Sequence, residues 1–339
     1  MKAAVLEKLN YPLAIREIFP TQLLPGQVYV KVLASGLCGA QLHEIRGHKG
    51  NGKFLPHLMG HEGCGIVKEV GPGVTTVKEG DKVVMHWRPG TGVESPFPNY
   101  TIDGKTISSG KVTTLSEFSI VSENRVTKID HDTPSVLAAM LGCSLTTALG
   151  IIDNECDLKF GESVAVLGCG GVGLNLVQAA KMKNASPIIG VDVNQAMYEL
   201  TTQMGADTFV YDIQYLPQKC DVIIDTTGVP DVISKAFEML NPGGRLILVG
   251  QPAPDRLVCL PNAVSIFEGT GKSIRASQGG RTDPEKDIPR YINLAMKGQL
   301  DYETLHTHTF TLDEVNEAFD LLRSGGAGRI MVKIHDNCD

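Results

Sequence analysis

Residues 163–183 have the sequence SVAVLGCGGVGLNLVQAAKMK, which contains the pattern G-x-G-x-x-G from Gly168 to Gly173. The pattern follows an apolar strand predicted at 163–167 and opens a helix predicted at about 172–183, the context that a dinucleotide-binding turn requires. The first glycine allows the tight turn, the second lets the backbone approach a pyrophosphate, and the third permits close packing of helix on strand. The helix N-terminus offers free N–H groups to the phosphates. We therefore predict a dinucleotide site built by Gly168, Gly170, Gly171, Val172 and Gly173.

A carboxylate at the end of the next predicted strand indicates which dinucleotide binds. Asp192 lies 24 residues after Gly168. A carboxylate at that place hydrogen-bonds the ribose hydroxyls and repels a 2′-phosphate, which favours NAD over NADP. The alternative interpretation is a glycine-rich turn followed by a capping aspartate.

Working outward, strands and helices alternate from about residue 163 to 249, which predicts a doubly wound parallel sheet. The first 130 residues instead contain short strand candidates separated by Gly and Pro turns, at 28–32, 65–70 and 81–85. One helix is predicted from Pro134 towards Leu149, and the stretch 88–110 is expected to be a long surface loop. After Gly280, two helices and a strand at 330–334 suggest a return to the first domain.

Composition excludes several classes of protein. The 339 residues suggest two domains, and 42% hydrophobic with 20% charged residues suits a globular chain. The net charge of −7 argues against a nucleic-acid binder, and no membrane-spanning segment or secretory signal is evident. We therefore expect a cytoplasmic protein with no nucleic-acid or membrane partner. The eight cysteines include no Cys-x-x-Cys pair, so a compact four-cysteine zinc site is not expected.

Together with the fingerprint at Gly168, four further segments resemble the zinc-dependent alcohol dehydrogenase family of the medium-chain dehydrogenase/reductase superfamily. They are GHEG (60–63), VGPGV (70–74), GDKV (80–83) and EAFDLLRSG (317–325). The resemblance covers essentially the whole chain. It implies an α/β fold with a Rossmann cofactor domain at 144–277 and a β-rich GroES-like catalytic domain at 1–143 and 278–339.

The resemblance also implies that Cys38, His61 and Cys143 bind one catalytic zinc, since two thiolates and one imidazole leave an open fourth position. Taken singly, each cysteine would be interpreted as a small buried hydrophobe. Glu62 resembles the family's carboxylate beside the metal, with an ordinary turn acid as the alternative. Arg329 matches an arginine that pairs with the cofactor pyrophosphate, with a strand-edge charge as the alternative.

Three positions depart from the family's pattern. The loop 88–110 has no cysteine, so we predict no structural zinc. Ala40 stands where the family has the Ser or Thr that takes the alcohol proton, although His43 matches the relay histidine. A water or a substrate hydroxyl would have to bridge the gap, and a solvated surface histidine is the alternative for His43. Gln41 replaces an Asp that orients the zinc histidine.

Four other side chains have both a functional and a structural interpretation. Trp87 resembles the wall of the substrate pocket, although core packing also fits. His86 is better explained as a hydrogen-bonded structural histidine than as a pocket group. Cys64 is predicted to be a packed turn residue, and Cys169 to be inert.

The sequence thus predicts a zinc- and NAD-dependent alcohol dehydrogenase acting on a small-molecule alcohol or its carbonyl partner. The methyl group of Ala40 would suit a secondary alcohol or a polyol. The alternatives are a zinc-free NAD(P)H-dependent reductase and a catalytically silent cofactor-binding protein of the same fold. The resemblance implies a homodimer or homotetramer, with 270–276 as the candidate interface strand.

Overall fold

The computed structural model describes residues 1–50, 52–260, 263–267 and 271–335. Its strands are β1 (Lys2–Leu6), β2 (Ala14–Glu17), β3 (Phe19–Pro20), β4 (Gln27–Gly36), β5 (His57–Leu58), β6 (Glu62–Val70), β7 (Lys82–His86), β8 (Tyr100–Ile102), β9 (Lys105–Ile107), β10 (Phe118–Ser122), β11 (Val126–Ile129), β12 (Val164–Leu167), β13 (Ile188–Val191), β14 (Thr208–Val210), β15 (Cys220–Asp225), β16 (Leu240–Leu248), β17 (Ser273–Ala276), β18 (His306–Thr311) and β19 (Arg329–Lys333). Its helices are α1 (Gly39–Ile45), α2 (Ser135–Met140), α3 (Ser144–Gly150), α4 (Gly171–Met182), α5 (Tyr198–Gln203), α6 (Pro230–Glu238), α7 (Pro284–Met296) and α8 (Val315–Ser324).

Two large sheets organise the molecule. Six parallel strands lie in the order β14-β13-β12-β15-β16-β17, and β12 and β13 are buried along their whole length because helices cover the sheet. A mainly antiparallel sheet has the order β11-β7-β6-β4-β19-β18, with β10 also paired to β4. The predicted fold class, a Rossmann sheet with a β-rich GroES-like partner, is confirmed.

The C-terminal segment completes the N-terminal sheet. Strand β19 pairs antiparallel with β4, where Met331 faces Gly36, and parallel with β18. This connection agrees with the expected return of the chain after the parallel sheet. The residue limits of the two domains remain a prediction.

The helix predicted from Pro134 to Leu149 is two helices, and the break between them creates a functional position. Helix α2 ends at Met140 and α3 begins at Ser144, with Cys143 in a non-helical conformation (φ −152°, ψ −71°) at its N-cap. A Cβ on Gly142 would collide with the Met85 carbonyl oxygen and lie 2.8 Å from the Glu62 Cα. The absence of a side chain at Gly142 therefore lets the break pack against β6 and β7.

The stretch 88–110 is only partly the surface loop that we expected. Strands β8 and β9 form a hairpin in it, and β8 pairs with β3. The turn is Asp103-Gly104, with φ of 48° and 73°, a strong hairpin signal when it joins strand-forming residues. The expectation of a loop was wrong for these two strands. Each has only three residues, which is too short for an alternating pattern to be recognised in the sequence.

Strand β17 lies at the edge of the parallel sheet, paired with β16. It covers most of the predicted interface strand, although Thr270 lies outside the described residues. Among the described helices, none is both long enough and apolar enough to cross a bilayer.

Candidate active site

Three side chains from different parts of the chain meet at one point. The potential ligand atoms of Cys38, His61 and Cys143 all lie within 4.8 Å of one another. Cys38 is the N-cap of α1, His61 immediately precedes β6, and Cys143 is the N-cap of α3. Two sulfurs and one imidazole are the donors that zinc prefers, and a site with three protein ligands can leave a fourth position for a substrate. The donor set therefore fits a catalytic zinc.

The electrostatics of this cluster favour a cation. The hydrogen bond from the Cys143 thiol holds the pKa of Cys38 well below its ordinary value, while the same contact raises the pKa of Cys143. Burial lowers the pKa of His61, but the hydrogen bond to Cys38 and the charge of that thiolate outweigh it and raise the pKa overall. A thiolate is thus available for metal binding, which requires deprotonated ligands.

A buried ion pair lies behind the cluster. Glu62 is fully buried, its Oε1 pairs with the Arg329 guanidinium, and its Oε2 accepts a hydrogen bond from the Ser144 backbone N–H at 3.1 Å. Burial raises the pKa of Glu62, and the neighbouring charge of Arg329 opposes that rise. Glu62 thereby fastens α3, whose N-cap is Cys143, to β6.

Arg329 also contacts the dinucleotide fingerprint. A Cβ on Gly171, the first residue of α4, would lie 2.6 Å from the Arg329 Cδ. The guanidinium is 3% exposed, and its Nε has no hydrogen-bond partner among the described residues. The predicted pyrophosphate-pairing residue therefore lies between the fingerprint and the metal cluster.

The fingerprint has the geometry that its glycines predict. Gly168 has a φ of 87°, and a Cβ on Gly173 would collide with the Gly168 carbonyl oxygen. Asp192 follows β13, where its Oδ2 accepts the Cys169 backbone N–H at 2.7 Å and its Oδ1 accepts that of Asn194 at 2.8 Å. Asp192 is therefore held at the carboxyl end of the sheet, where doubly wound folds bind nucleotides.

A cleft of about 870 Å³ joins the metal cluster to the parallel sheet. Seven of the predicted site residues line it: Cys38, Ala40, His43, His61, Trp87, Cys143 and Val172. The other predicted site residues, Glu62, Asp192, Arg329 and the four fingerprint glycines, do not line it. The sequence analysis missed several others: Thr147, Thr226, Thr227, Val249 and Gln251. The available signal was position, because Thr226 and Thr227 follow β15 and Val249 follows β16 at the carboxyl ends of the parallel strands.

Helix α1 presents Ala40 and His43 to the cleft. They are three residues apart and therefore share one helix face. The Nδ1 atom of His43 lies 3.1 Å from the Nδ1 atom of His48. Gln41 is fully buried, and its Oε1 accepts the Cys38 backbone N–H at 2.8 Å. Gln41 thus fixes the zinc-ligand loop through Cys38.

Three residues with structural interpretations are buried as expected. His86 accepts a hydrogen bond from Thr127 and donates one to the Arg88 carbonyl at 2.7 Å, and burial lowers its pKa to about 4. Burial also raises the thiol pKa of Cys64 and of Cys169 to about 12. Cys64 lies on β6 rather than in a turn.

Comparisons with known proteins agree with this geometry. The family model for the alcohol dehydrogenase GroES-like domain matches residues 24–131, and that for the zinc-binding dehydrogenase matches residues 171–297. The chain is 30% identical over 369 aligned positions to the S-(hydroxymethyl)glutathione dehydrogenase of Escherichia coli O6:H1, covering 98% of this chain and 99% of that protein. The chain belongs to the zinc-dependent alcohol dehydrogenase family.

Other members of the alcohol dehydrogenase family extend the comparison. Alcohol dehydrogenase class-3 of Cereibacter sphaeroides is 30% identical over 376 positions, with 98% and 99% of the two chains covered. An alcohol dehydrogenase zinc-binding domain protein from Burkholderia ambifaria superposes with a TM-score of 0.89 at 23% identity, covering 99% of each chain. Benzyl alcohol dehydrogenase from Acinetobacter calcoaceticus gives 0.87 at 24% identity, covering 98% of this chain and 99% of that one. The last two comparisons concern the fold alone.

Membership in the alcohol dehydrogenase family confirms the resemblance that the sequence motifs carried. The protein is a zinc-dependent alcohol oxidoreductase of the kind that uses NAD. The number of zinc ions and the roles of individual site residues remain predictions.

Proposed function

We propose that this protein transfers a hydride between a small-molecule alcohol and NAD, with one zinc held by Cys38, His61 and Cys143. The observation that carries the proposal is a shared cleft. The metal cluster, Val172 at the start of α4 and Thr226 at the carboxyl end of β15 line the same cavity. Hydride transfer needs donor and acceptor in contact, which a single cleft provides.

When bound, zinc supplies Lewis acidity to the alcohol oxygen and NAD accepts the hydride. The residues of the chain itself bind the substrate and accept its proton. Val172 and Thr226 line the cleft beside the parallel sheet, and Trp87 adds an aromatic surface to the same cleft for the substrate to contact. His43 is positioned to accept a proton at the cleft, and the Ala40 methyl group leaves the space beside it to a water or a substrate hydroxyl.

The preference for NAD rests on Asp192, whose carboxylate repels a 2′-phosphate. Arg329 supports dinucleotide binding for two reasons. Its guanidinium packs against Gly171 at the start of α4, and its Nε has no hydrogen-bond partner among the described residues. A helix N-terminus and a guanidinium together suit a pyrophosphate.

A single zinc per chain is the expected count. The stretch 88–110 has no cysteine and is occupied by the β8–β9 hairpin. Among the described residues, the Cys38, His61 and Cys143 cluster is the group of metal-binding side chains that the structure brings together. We also infer a homodimer or homotetramer and a cytoplasmic location, the latter testable by cell fractionation.

The decisive experiment compares two cysteine variants. We expect wild type to contain about one zinc per chain by elemental analysis. Cys143→Ser removes one thiolate and should lose most of the zinc together with NAD-dependent alcohol oxidation. Cys259→Ser is the matched control, because Cys259 is a free, exposed thiol outside the cluster. Two zinc ions per chain, or full activity in Cys143→Ser, would contradict the proposal.

A further inference from the structure

The mouth of the cleft has a charge opposite to that of the whole protein. The chain carries a net charge of −7. Yet the Lys, Arg, Asp and Glu residues that line the cleft are Lys49, Lys53, Lys111 and Glu44, three lysines against one glutamate. A cleft lined by one sign of charge concentrates ligands of the other sign.

The three lysines differ in whether a carboxylate of the protein forms an ion pair with them and so neutralises their charge. Lys49 pairs with Glu44 at 3.0 Å. Lys111 pairs with Glu94, but Glu94 also pairs with Arg125 at 2.9 Å, so its charge is shared. None of the described carboxylates forms an ion pair with Lys53. Lys53 and Lys111 therefore retain positive charge for a ligand.

Each of these two lysines lies over an exposed aromatic ring that also lines the cleft. The Lys53 ammonium is 4.7 Å from the centre of the Phe54 ring, and the Lys111 ammonium is 5.5 Å from that of Phe97. The two phenylalanines are 53% and 55% exposed. We call Lys53, Phe54, Phe97 and Lys111 the rim. The rim combines the apolar surface of two phenylalanine rings with the positive charge of two lysine ammonium groups.

Backbone hydrogen bonds connect the two segments that supply the lysines. The Leu58 N–H donates to the Ser108 carbonyl at 3.1 Å, and the Ser108 N–H donates to the Pro56 carbonyl at 3.2 Å. The chain from Lys53 to Leu58 is therefore fastened to the chain leading into Lys111. A ligand meets both segments as one surface.

We propose that the substrate is an alcohol with an anionic group, a carboxylate or a phosphate monoester, at the far end of an apolar body. The hydroxyl would lie at the Cys38, His61 and Cys143 cluster, the apolar body along the cleft, and the anion at the rim. Lysine suits either anion because its ammonium acts as a compact point charge. This inference rests on the proposed alcohol oxidation and specifies its substrate class.

The NAD pyrophosphate is the competing anion. The groups argued above to hold it, Arg329 and the start of α4 at Gly171, belong to other segments than the rim. Substitutions in the rim should therefore change the kinetics of the substrate and leave the KM for NAD unchanged.

The experiment uses three compounds of equal chain length: an ω-hydroxyalkanoate, the corresponding ω-hydroxyalkyl phosphate and the neutral primary alkanol. We expect kcat/KM for at least one of the anionic compounds to exceed that for the alkanol by about tenfold at low ionic strength, a difference of 1.4 kcal/mol. Added salt should reduce this advantage because the rim is exposed to solvent. The comparison of the two anionic compounds identifies the preferred headgroup.

Charge-removing variants then assign the effect to the rim. Lys53→Gln should lower kcat/KM for the preferred anionic substrate about fivefold more than for the alkanol, the upper end of the range for one exposed ion pair. Adding Lys111→Gln should abolish most of the remaining advantage. Lys219→Gln, which removes an exposed lysine outside the cleft, should leave the ratio unchanged.

Equal kcat/KM for all three compounds, or a Lys53→Gln variant that raises the KM for NAD alone, would overturn the inference. Failure of the proposed function has a different signature, namely no turnover of any of the three compounds. Binding can then still be measured from the fluorescence of Trp87, the single tryptophan of the chain, which lines the cleft. Anionic compounds that bind no more tightly than the alkanol in that titration would equally overturn the inference.

Discussion

The imidazole rings of His43 and His48 lie within hydrogen-bonding distance of each other. Their Nδ1 atoms are 3.1 Å apart, so one ring must accept where the other donates. Burial lowers the pKa of His43, and the positive charges of His48, Arg46 and Lys49 lower it further, while the charge of Cys38 opposes them. His43 therefore remains a neutral base at lower pH than an ordinary histidine.

This pair predicts the pH dependence of alcohol oxidation. The acid limb of the pH–rate profile should lie below the ordinary histidine pKa of about 6.5. His48→Gln removes one of the groups that lower the pKa of His43, so it should move that limb to higher pH. His43→Gln should lower turnover most towards low pH, where proton transfer limits the rate.

The control for these variants is His131→Gln, an exposed histidine away from the cleft. An unchanged profile in His43→Gln would mean that the proton leaves directly to solvent. A limb that stays in place in His48→Gln would mean that the second ring has no influence on the first.

Asp192 allows a matched test of cofactor choice. Asp192→Ala should reduce the ratio of kcat/KM with NAD to that with NADP by about tenfold, because the charge facing the 2′-phosphate is lost. Asp207→Ala is the control, since the Asp207 carboxylate also accepts a backbone N–H, that of Ile188 at 2.8 Å, but does so at the first residue of β13 and not beyond its carboxyl end. A native preference for NADP, or equal shifts in both variants, would remove Asp192 from this role.

Among the structural elements, the break between α2 and α3 depends on Gly142. Any side chain there must displace the backbone of β7 or β6. We expect Gly142→Ala to reduce the free energy of unfolding by about 1–3 kcal/mol, the usual cost of overpacking, and to lower zinc content because Cys143 is the next residue. Urea unfolding and metal analysis measure the two effects.

Gly326→Ala is the comparison for this variant, because the atoms nearest to a Cβ at that position are 3.7 Å away or farther. It should change stability by less than about 0.5 kcal/mol, as most surface substitutions do. A Gly142→Ala protein as stable and as rich in zinc as Gly326→Ala would show that the break tolerates a side chain.

Some of the elements that the sequence predicts correctly depend only on neighbouring residues. The strand, glycine turn and helix around Gly168 are specified within about twenty residues, so local patterns are enough to predict them. The break at Gly142 has a long-range cause, the approach of β6 and β7, and no local pattern interrupts the apolar periodicity. The clustering of Cys38, His61 and Cys143 also needs a family resemblance, because spacing alone cannot join them. His48 and the rim lysines have no sequence signal at all.

At the scale of the whole molecule, the edge of the parallel sheet is the candidate subunit interface. Strand β17 is exposed along its length, and Ile274 within it is 38% exposed. Leu257, Val264 and Phe267, in the preceding segment, are 82%, 66% and 83% exposed. An open apolar edge of this kind favours pairing with a second copy.

We expect sedimentation to detect a dimer or a tetramer in which Ile274→Lys weakens or abolishes association. Phe160→Lys is the control, because Phe160 is 84% exposed and lies outside this segment. A monomeric wild type, or equal dissociation in both variants, would argue against the edge as the interface.

The pairing of β19 with β4 has a consequence for synthesis on the ribosome. The strands of the parallel sheet all lie between residues 164 and 276, so that unit can fold on the nascent chain as soon as it emerges. In the antiparallel sheet, β4 lacks its partner on one edge, at residues 34–36, until β19 has been translated. Because Arg329 is the first residue of β19, the Glu62 carboxylate has no counter-charge from it during almost the entire time that the chain is being made. A polypeptide released before residue 329 therefore contains all three cluster residues but lacks the guanidinium that pairs with Glu62 behind them.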